Sequence, residues 1–157
     1  MGNPIFKIHK VKKMFFRSLF LAAVSCAPPA ASHLQLNLPD REWDRFNRLE
    51  MVLPVPDNTA RYKTSLDVRL SGDYAHAYLS LVVARSGPAD TLWFSLNPDK
   101  AIRSGQFLDY RFDLDTVGFY THTPFCNWRL SHNMPERTLH GIVSVGLTMK
   151  KDRHGQR

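Results

Sequence analysis

The residues of this 157-residue chain best placed to do chemistry are three carboxylates, Asp109, Asp113 and Asp115, and three histidines, His122, His132 and His140. The three aspartates share the parity of one extended strand, so they line a single face, where carboxylate oxygens could hold a hard cation such as Ca²⁺. Arg111 stands on that same face. Alternating Asp and Arg beside Tyr110, Phe112 and Leu114 is the pattern of a solvated strand face, and it is read as one. His132 and His140 lack the compact spacing and accompanying cysteine of a zinc site, and with His122 they read as scattered surface histidines. The chain has no Gly-x-Ser-x-Gly elbow and no phosphate-cradling glycine loop. No set of acid, base and nucleophile emerges, so the reading is of a protein that is not an enzyme and takes neither cofactor nor metal.

Tryptophan offers a binding function instead, because exposed rings on a sheet stack on sugars. Trp128 shares its side with Cys126 and Leu130, and Trp93 lies in the apolar run Leu92-Trp93-Phe94, so both read as core or half-buried. Trp43 is the possible aromatic binding surface, and carbohydrate binding is the alternative function that it motivates.

The formal charge of +7 suggests a nucleic-acid partner, yet Lys7, Lys10, Lys12, Lys13 and Arg17 all precede Cys26, in a stretch with no Asp or Glu. Setting those five aside leaves +2 for residues 26–157, so no polyanionic partner is called for. The basic segment is followed by a short apolar run, residues 18–25, that ends in small side chains, which is the layout of a secretory signal. Arg17 on one side and Pro28-Pro29 on the other leave the run too short to span a bilayer. Ala23-Val24-Ser25-Cys26 resembles a lipobox, with Ala23 where Leu is preferred. The signal peptide is therefore expected over residues 1–25, starting at Met1 or Met14, and Cys26 is expected to carry lipid and tie the protein to a membrane. The sulfur of Cys26 is then used, which leaves Cys126 as a lone thiol packed as a small apolar side chain.

Residues 26–40, rich in Ala and Pro, read as the lipidated cysteine and a flexible tether, residues 41–151 as one domain, and residues 152–157 as a disordered tail. Within the domain Tyr62, Leu66, Val68 and Leu70 alternate with Lys63, Asp67 and Arg69, the period of a half-buried strand. Similar segments recur at residues 49–53, 78–84, 91–96, 109–114, 124–130 and 142–149, and residues 78–84 are apolar enough for a central strand covered on both faces. Pro54-Val-Pro56-Asp57-Asn58, Ser71-Gly72-Asp73, Ser86-Gly87-Pro88 and Asn97-Pro98-Asp99 supply the turns. About seven short strands with little helix predict an all-β fold, an antiparallel β-sandwich. Residues 97–108 read as a long loop, and residues 131–140 as a loop or a short helical turn.

The final strand, Leu139-His-Gly-Ile-Val-Ser-Val-Gly-Leu-Thr-Met-Lys-Lys151, resembles the C-terminal signature of the GldH family of gliding-motility lipoproteins of Bacteroidetes. Trp43, Pro56-Asp57-Asn-Thr-Ala-Arg61-Tyr62, Asp67-Val68-Arg69, Asp73-Tyr74 and Asp90-Thr91-Leu92 fall in the matching order, and the resemblance spans residues 26–151. The chain departs from the family pattern at His140, at Ser144 and in the loop 97–107, where only Gly105 remains of a glycine-rich stretch. The resemblance implies a non-catalytic cell-envelope lipoprotein that binds or assembles protein partners of the gliding and secretion machinery. Ala27-Pro28-Pro29 carries neither an inner-membrane retention aspartate nor an acidic surface-export signal. By elimination the expected address is the periplasmic face of the outer membrane.

Overall fold

A computed structural model describes residues 31–152, and the expectations placed on residues 1–30, Cys26 among them, and on residues 153–157 lie outside it. Twelve strands make up the described chain: β1 (Ala31–Asn37), β2 (Glu42–Asp44), β3 (Leu49–Pro54), β4 (Arg61–Leu70), β5 (Tyr78–Arg85), β6 (Ala89–Ser95), β7 (Ile102–Ser104), β8 (Phe107–Asp113), β9 (Phe119–Tyr120), β10 (Phe125–His132), β11 (Thr138–His140) and β12 (Ile142–Lys151). The described residues contain no α-helix, only 3-10 turns at Pro39–Arg41 and Pro98–Lys100. The larger sheet runs β1-β12-β4-β8-β7, with β9 continuing beside β4; the smaller runs β3-β10-β5-β6. Every pairing is antiparallel, so the chain is all-β with antiparallel sheets packed together.

The seven expected strands are all present, because in each the alternation of apolar and polar side chains matches the pleat. Along β4, Tyr62, Thr64, Leu66, Val68 and Leu70 are buried while their neighbours are half-exposed. They meet Val145, Leu147 and Met149 of β12 and, across the sandwich, Met51, Leu53, Leu79, Leu81, Trp128 and Leu130 in one core. Each of these large side chains stabilises the fold by roughly 1.5–3 kcal/mol through burial. β5 is covered on both sides as expected, with Leu79, Leu81 and Val83 facing the core and Ser80 and Ala84 buried on the opposite face.

Three expectations are corrected. Residues 31–37 are not tether but an edge strand, paired residue by residue with Lys150–Ser144, and Leu34 and Leu36 pack on the core. The Ser32 hydroxyl donates to the Pro54 carbonyl at 2.6 Å, joining β1 of one sheet to β3 of the other. Asp152, assigned to the tail, belongs to the domain: it is buried and accepts from Arg61 Nε at 2.9 Å. Residues 131–140 form no helical turn, since β10 runs on to His132 and β11 pairs with β2 as a small separate sheet. Within the loop 97–108, the Asn97 side chain accepts from Asp99 N–H to cap the 3-10 turn, and β7 adds a short edge to β8.

The β2–β11 ribbon stoppers one end of the sandwich. Trp43 of β2 is fully buried, donates to the Asn47 carbonyl at 2.8 Å, and meets the His132 ring edge-on at 5.6 Å. At the opposite end Arg85 reaches inward beneath Phe119, with its guanidinium carbon 3.5 Å from the ring centroid, and pairs with Asp115 at 3.7 Å.

Between the ribbon and β12 the chain turns at Gly141, whose φ of 84° L-residues rarely adopt. A Cβ there would press into the Tyr74 backbone nitrogen, while the Gly141 carbonyl accepts from Ser71 N–H at 2.9 Å. Gly141→Ala is therefore expected to lower stability by about 2–4 kcal/mol, combining left-handed strain with a backbone clash. Urea unfolding followed by tryptophan fluorescence measures the loss, and a shift within error of zero would contradict this account of the turn.

Candidate functional site

The structure disperses the carboxylates and histidines that the sequence nominated. Asp109 lies on the outer face of the larger sheet and takes both fork nitrogens of Arg69, at 2.7 and 2.8 Å. Asp113 accepts from the Ser65 hydroxyl at 3.1 Å. Asp115 is not on a solvated face: it turns inward and accepts from Thr64 N–H at 3.2 Å, in a gap between β8 and β9 where the ladder to β4 is interrupted. Burial raises its carboxyl above the ordinary range, against the pull of that N–H and of Arg85. His122 is exposed and His140 lies 3.1 Å from Glu42. His132, expected on the surface, is buried because it continues the inward parity of Cys126, Trp128 and Leu130. Among the described residues, no three His, Cys, Asp or Glu converge as metal ligands.

The tryptophans also change places. Trp43 cannot serve as a binding surface, since the ribbon that carries it closes the end of the core. Trp93, expected to be core or half-buried, is 65% exposed and stacks on Tyr78 at 5.3 Å. Trp93 shares its parity with Thr91 and Ser95, while Leu92, Phe94 and Leu96 take the other, so the alternation of β6 turns Phe94 in and Trp93 out. Trp128 is buried as expected. Cys126 is a free, buried thiol whose pKa is pushed up by burial, which suits packing rather than nucleophilic reactivity.

Two surfaces have the organisation of binding sites. The first is the outer face of the larger sheet, where strand register sets polar side chains in rows. One row runs His33, Thr148, Ser65 and Asp113; the next Gln35, Gly146, Asp67 and Arg111; the third Asn37, Ser144, Arg69 and Asp109. Asp67 ties them together, accepting from Thr148 at 2.7 Å and from Arg111 at 2.5 Å, while Gln35 donates to Ser144 at 2.8 Å. With no side chain at Gly146 in the middle row, the face is dished into a concavity of about 360 Å³. Its polar groups bond to one another, so the concavity is rigid and nearly neutral and exposes mainly the apolar parts of the side chains that line it.

The second is the seam between β6 and β8. On the far side of the sandwich the edges β1 and β3 close on one another through the Ser32–Pro54 bond. Here the larger sheet continues to β7 while the smaller ends at β6, and a groove of about 500 Å³ opens between them. Phe94 and Phe112, with ring centroids 4.8 Å apart, form its floor together with Leu92 and Leu114, and Lys100 stands at its rim. The outer edge of β6 carries no paired strand among the described residues. Lys100 was hidden from the sequence because nothing local says that the loop 97–108 folds beside β6.

Comparison with known proteins adds three findings. A family model described as GldH lipoprotein matches residues 33–149. No curated protein matches the chain. Among solved structures, a similar one is the crystal structure of dimeric latent PorU from Porphyromonas gingivalis, 9% identical over 78% of this chain, with a TM-score of 0.43. This chain spans 13% of the length of that one.

His132 supplies a test of how the end closed by the β2–β11 ribbon is built. Burial holds its pKa below the ordinary 6.5. As the pH falls through about 6.5, the unfolded chain takes up a proton that the folded ring refuses, so stability falls with acidification. Urea midpoints at about pH 7.5 and pH 5.5 are expected to drop in wild type, and His132→Phe should reduce that drop by the contribution of this one residue. An unchanged pH dependence in the variant would show that the ring titrates normally.

Proposed function

The chain belongs to the GldH lipoprotein family, and on that premise we propose that it is a non-catalytic, lipid-anchored component of the cell envelope that binds or assembles protein partners of the gliding and secretion machinery. The observation that carries this reading is the extent of the family match, which takes in nearly the whole of both sheets. As a member of a lipoprotein family the protein is held to a membrane by lipid. Cys26 is the proposed attachment point, at the end of a basic and then apolar leader. The proposed address is the periplasmic face of the outer membrane, argued from Ala27-Pro28-Pro29 after the cysteine.

Two features of the fold support partner binding. The unpaired edge of β6 offers backbone donors and acceptors beside a groove of mixed polar and apolar lining, the setting in which an extended segment adds to a sheet. The dished outer face of the larger sheet is preorganised by its internal ion pairs and hydrogen bonds, so a partner docking there would pay little ordering cost. A glycan-binding reading loses Trp43, the residue on which it was placed, and retains only the exposed Trp93.

Membrane fractionation of wild type and Cys26→Ala, each followed by affinity capture, tests the proposal. Wild type is expected in the membrane fraction with envelope-machinery proteins attached, and the variant in the soluble fraction, because multiple acyl chains at about 0.8 kcal/mol per buried methylene make the anchor stable. A variant that stays membrane-bound would refute Cys26 as the anchor. A deletion strain with normal motility, normal secretion and no lost partner would refute the assembly role.

A further inference from the structure

We propose that the end of the sandwich nearest Cys26 is a second membrane contact, which lays the domain against the bilayer with Val117, Tyr120 and Phe125 in the lipid headgroup layer and a cluster of lysines around them. The inference rests on the lipid-anchor reading above and says what that anchor does to the domain. Only residues 27–30 separate Cys26 from β1. Five residue steps, at no more than about 3.6 Å each, keep Ala31 within about 18 Å of a lipidated cysteine.

Strand register shows which surface is thereby brought down. Ala31 pairs with Lys150, and Lys150 with Lys63. The next positions along the same end are Lys151 with Tyr62 and Tyr62 with Phe119, followed by Arg61 with Tyr120. In the smaller sheet Phe125 pairs with Pro54, whose carbonyl accepts from Ser32 of β1, so Phe125 lies at this end too. Val117 belongs here as well, because the next residue, Gly118, sits against the Tyr62 carbonyl.

Three of the large apolar side chains that the domain exposes are therefore gathered where the anchor enters, with Val117 71%, Tyr120 59% and Phe125 55% exposed. Exposed apolar groups on strand ends cost solubility unless something covers them. Around them stand Arg61, Lys63, Arg85, Lys150 and Lys151 against the carboxylates Asp57, which engages Lys151, Asp115, which engages Arg85, and Asp152, which engages Arg61 and Lys63. The surface thus pairs an aromatic and aliphatic tip with a net positive rim, the combination that partitions to the interface of an anionic bilayer. A lipid surface is the occupant favoured over a protein because the anchor itself delivers one to this end. The same orientation turns the β2–β11 stopper, with exposed Phe46, away from the membrane.

The test uses the full lipidated protein, carrying Cys126→Ala, purified in detergent and reconstituted into vesicles of phosphatidylethanolamine with about a quarter phosphatidylglycerol as the anionic lipid. A polarity-sensitive fluorophore is placed through Val117→Cys, Tyr120→Cys, Phe125→Cys or, as a control, Phe46→Cys. On reconstitution the first three are expected to shift to the blue and to be quenched by lipids brominated near the headgroup, and position 46 to do neither. Tyr120→Glu combined with Phe125→Glu should abolish the shift at position 117 while leaving the protein vesicle-bound. Vesicle flotation separates the two ways of failing. A protein that does not float with the vesicles has no working anchor, and the premise falls. A protein that floats while positions 117, 120 and 125 behave like 46 overturns the membrane contact alone. A shift that disappears on dilution into excess lipid marks a second copy rather than the bilayer, and overturns it equally.

Discussion

The architecture depends on β12 lying between β1 and β4 in a fixed register. Nine positions of β12 pair with β4, interrupted only by an irregularity between Ile142 and Ser144, and seven pair with β1. A slip of one residue would turn Val145, Leu147 and Met149 out to solvent and bring Ser144 and Thr148 into the core, so burial of those apolar side chains holds the register. Gly141 sets its starting point, since the sharp turn joining the end ribbon to β12 requires a residue without Cβ. The register then determines everything arranged across the larger sheet. It aligns the polar rows on the outer face, puts the side-chain-free Gly146 at their centre, and sets Ala31, Lys150 and Lys63 side by side at one end.

Because the two sheets are unequal, the seams of the sandwich differ. β1 and β3 meet through a direct hydrogen bond, whereas β7 extends past β6 and leaves a groove. The ends differ as well. One is closed by an apolar and aromatic ribbon carrying Trp43 and Leu139, and the other by Arg85 and Asp115 beneath Phe119 and Trp128. A charged pair at the rim of a core contributes less than well-packed apolar groups of the same size. Here the Asp115 carboxyl also meets the Thr64 N–H, which the interruption between β8 and β9 leaves without a ladder partner. That local repair explains an inward carboxylate better than chemistry does.

These surfaces suit a lipoprotein that works by position. With the lipid on Cys26, as proposed, four residues would separate the anchor from β1, and the domain would have little freedom to swing away from the membrane. The outer face of the larger sheet and the open edge of β6 lie on different sides of the sandwich, so they can be occupied independently.

Much of the fold was determined locally. The seven main strands were legible because a pleated strand with one buried face imposes a two-residue alternation on its side chains, and the turns because Gly, Pro, Asn and Asp are needed where the chain reverses. The same alternation was present in Ser32, Leu34 and Leu36 and in the continuation of β10 to His132, so these readings failed through the flanking prolines and the polar residue types rather than for want of signal. Other placements had no local signal. Trp43 sits in a three-residue strand too short to show a period, and its burial follows from β11 pairing with it from almost a hundred residues away. Trp93, by contrast, follows the alternation, since Thr91 and Ser95 share its face, and its apolar immediate neighbours Leu92 and Phe94 hide that pattern. The placement of Val117, Tyr120 and Phe125, all within residues 117–125, beside the start of β1 joins two parts of the chain that are distant in sequence. Only the tertiary structure could decide it, because exposure and proximity are properties of packed sheets and not of the segments that compose them.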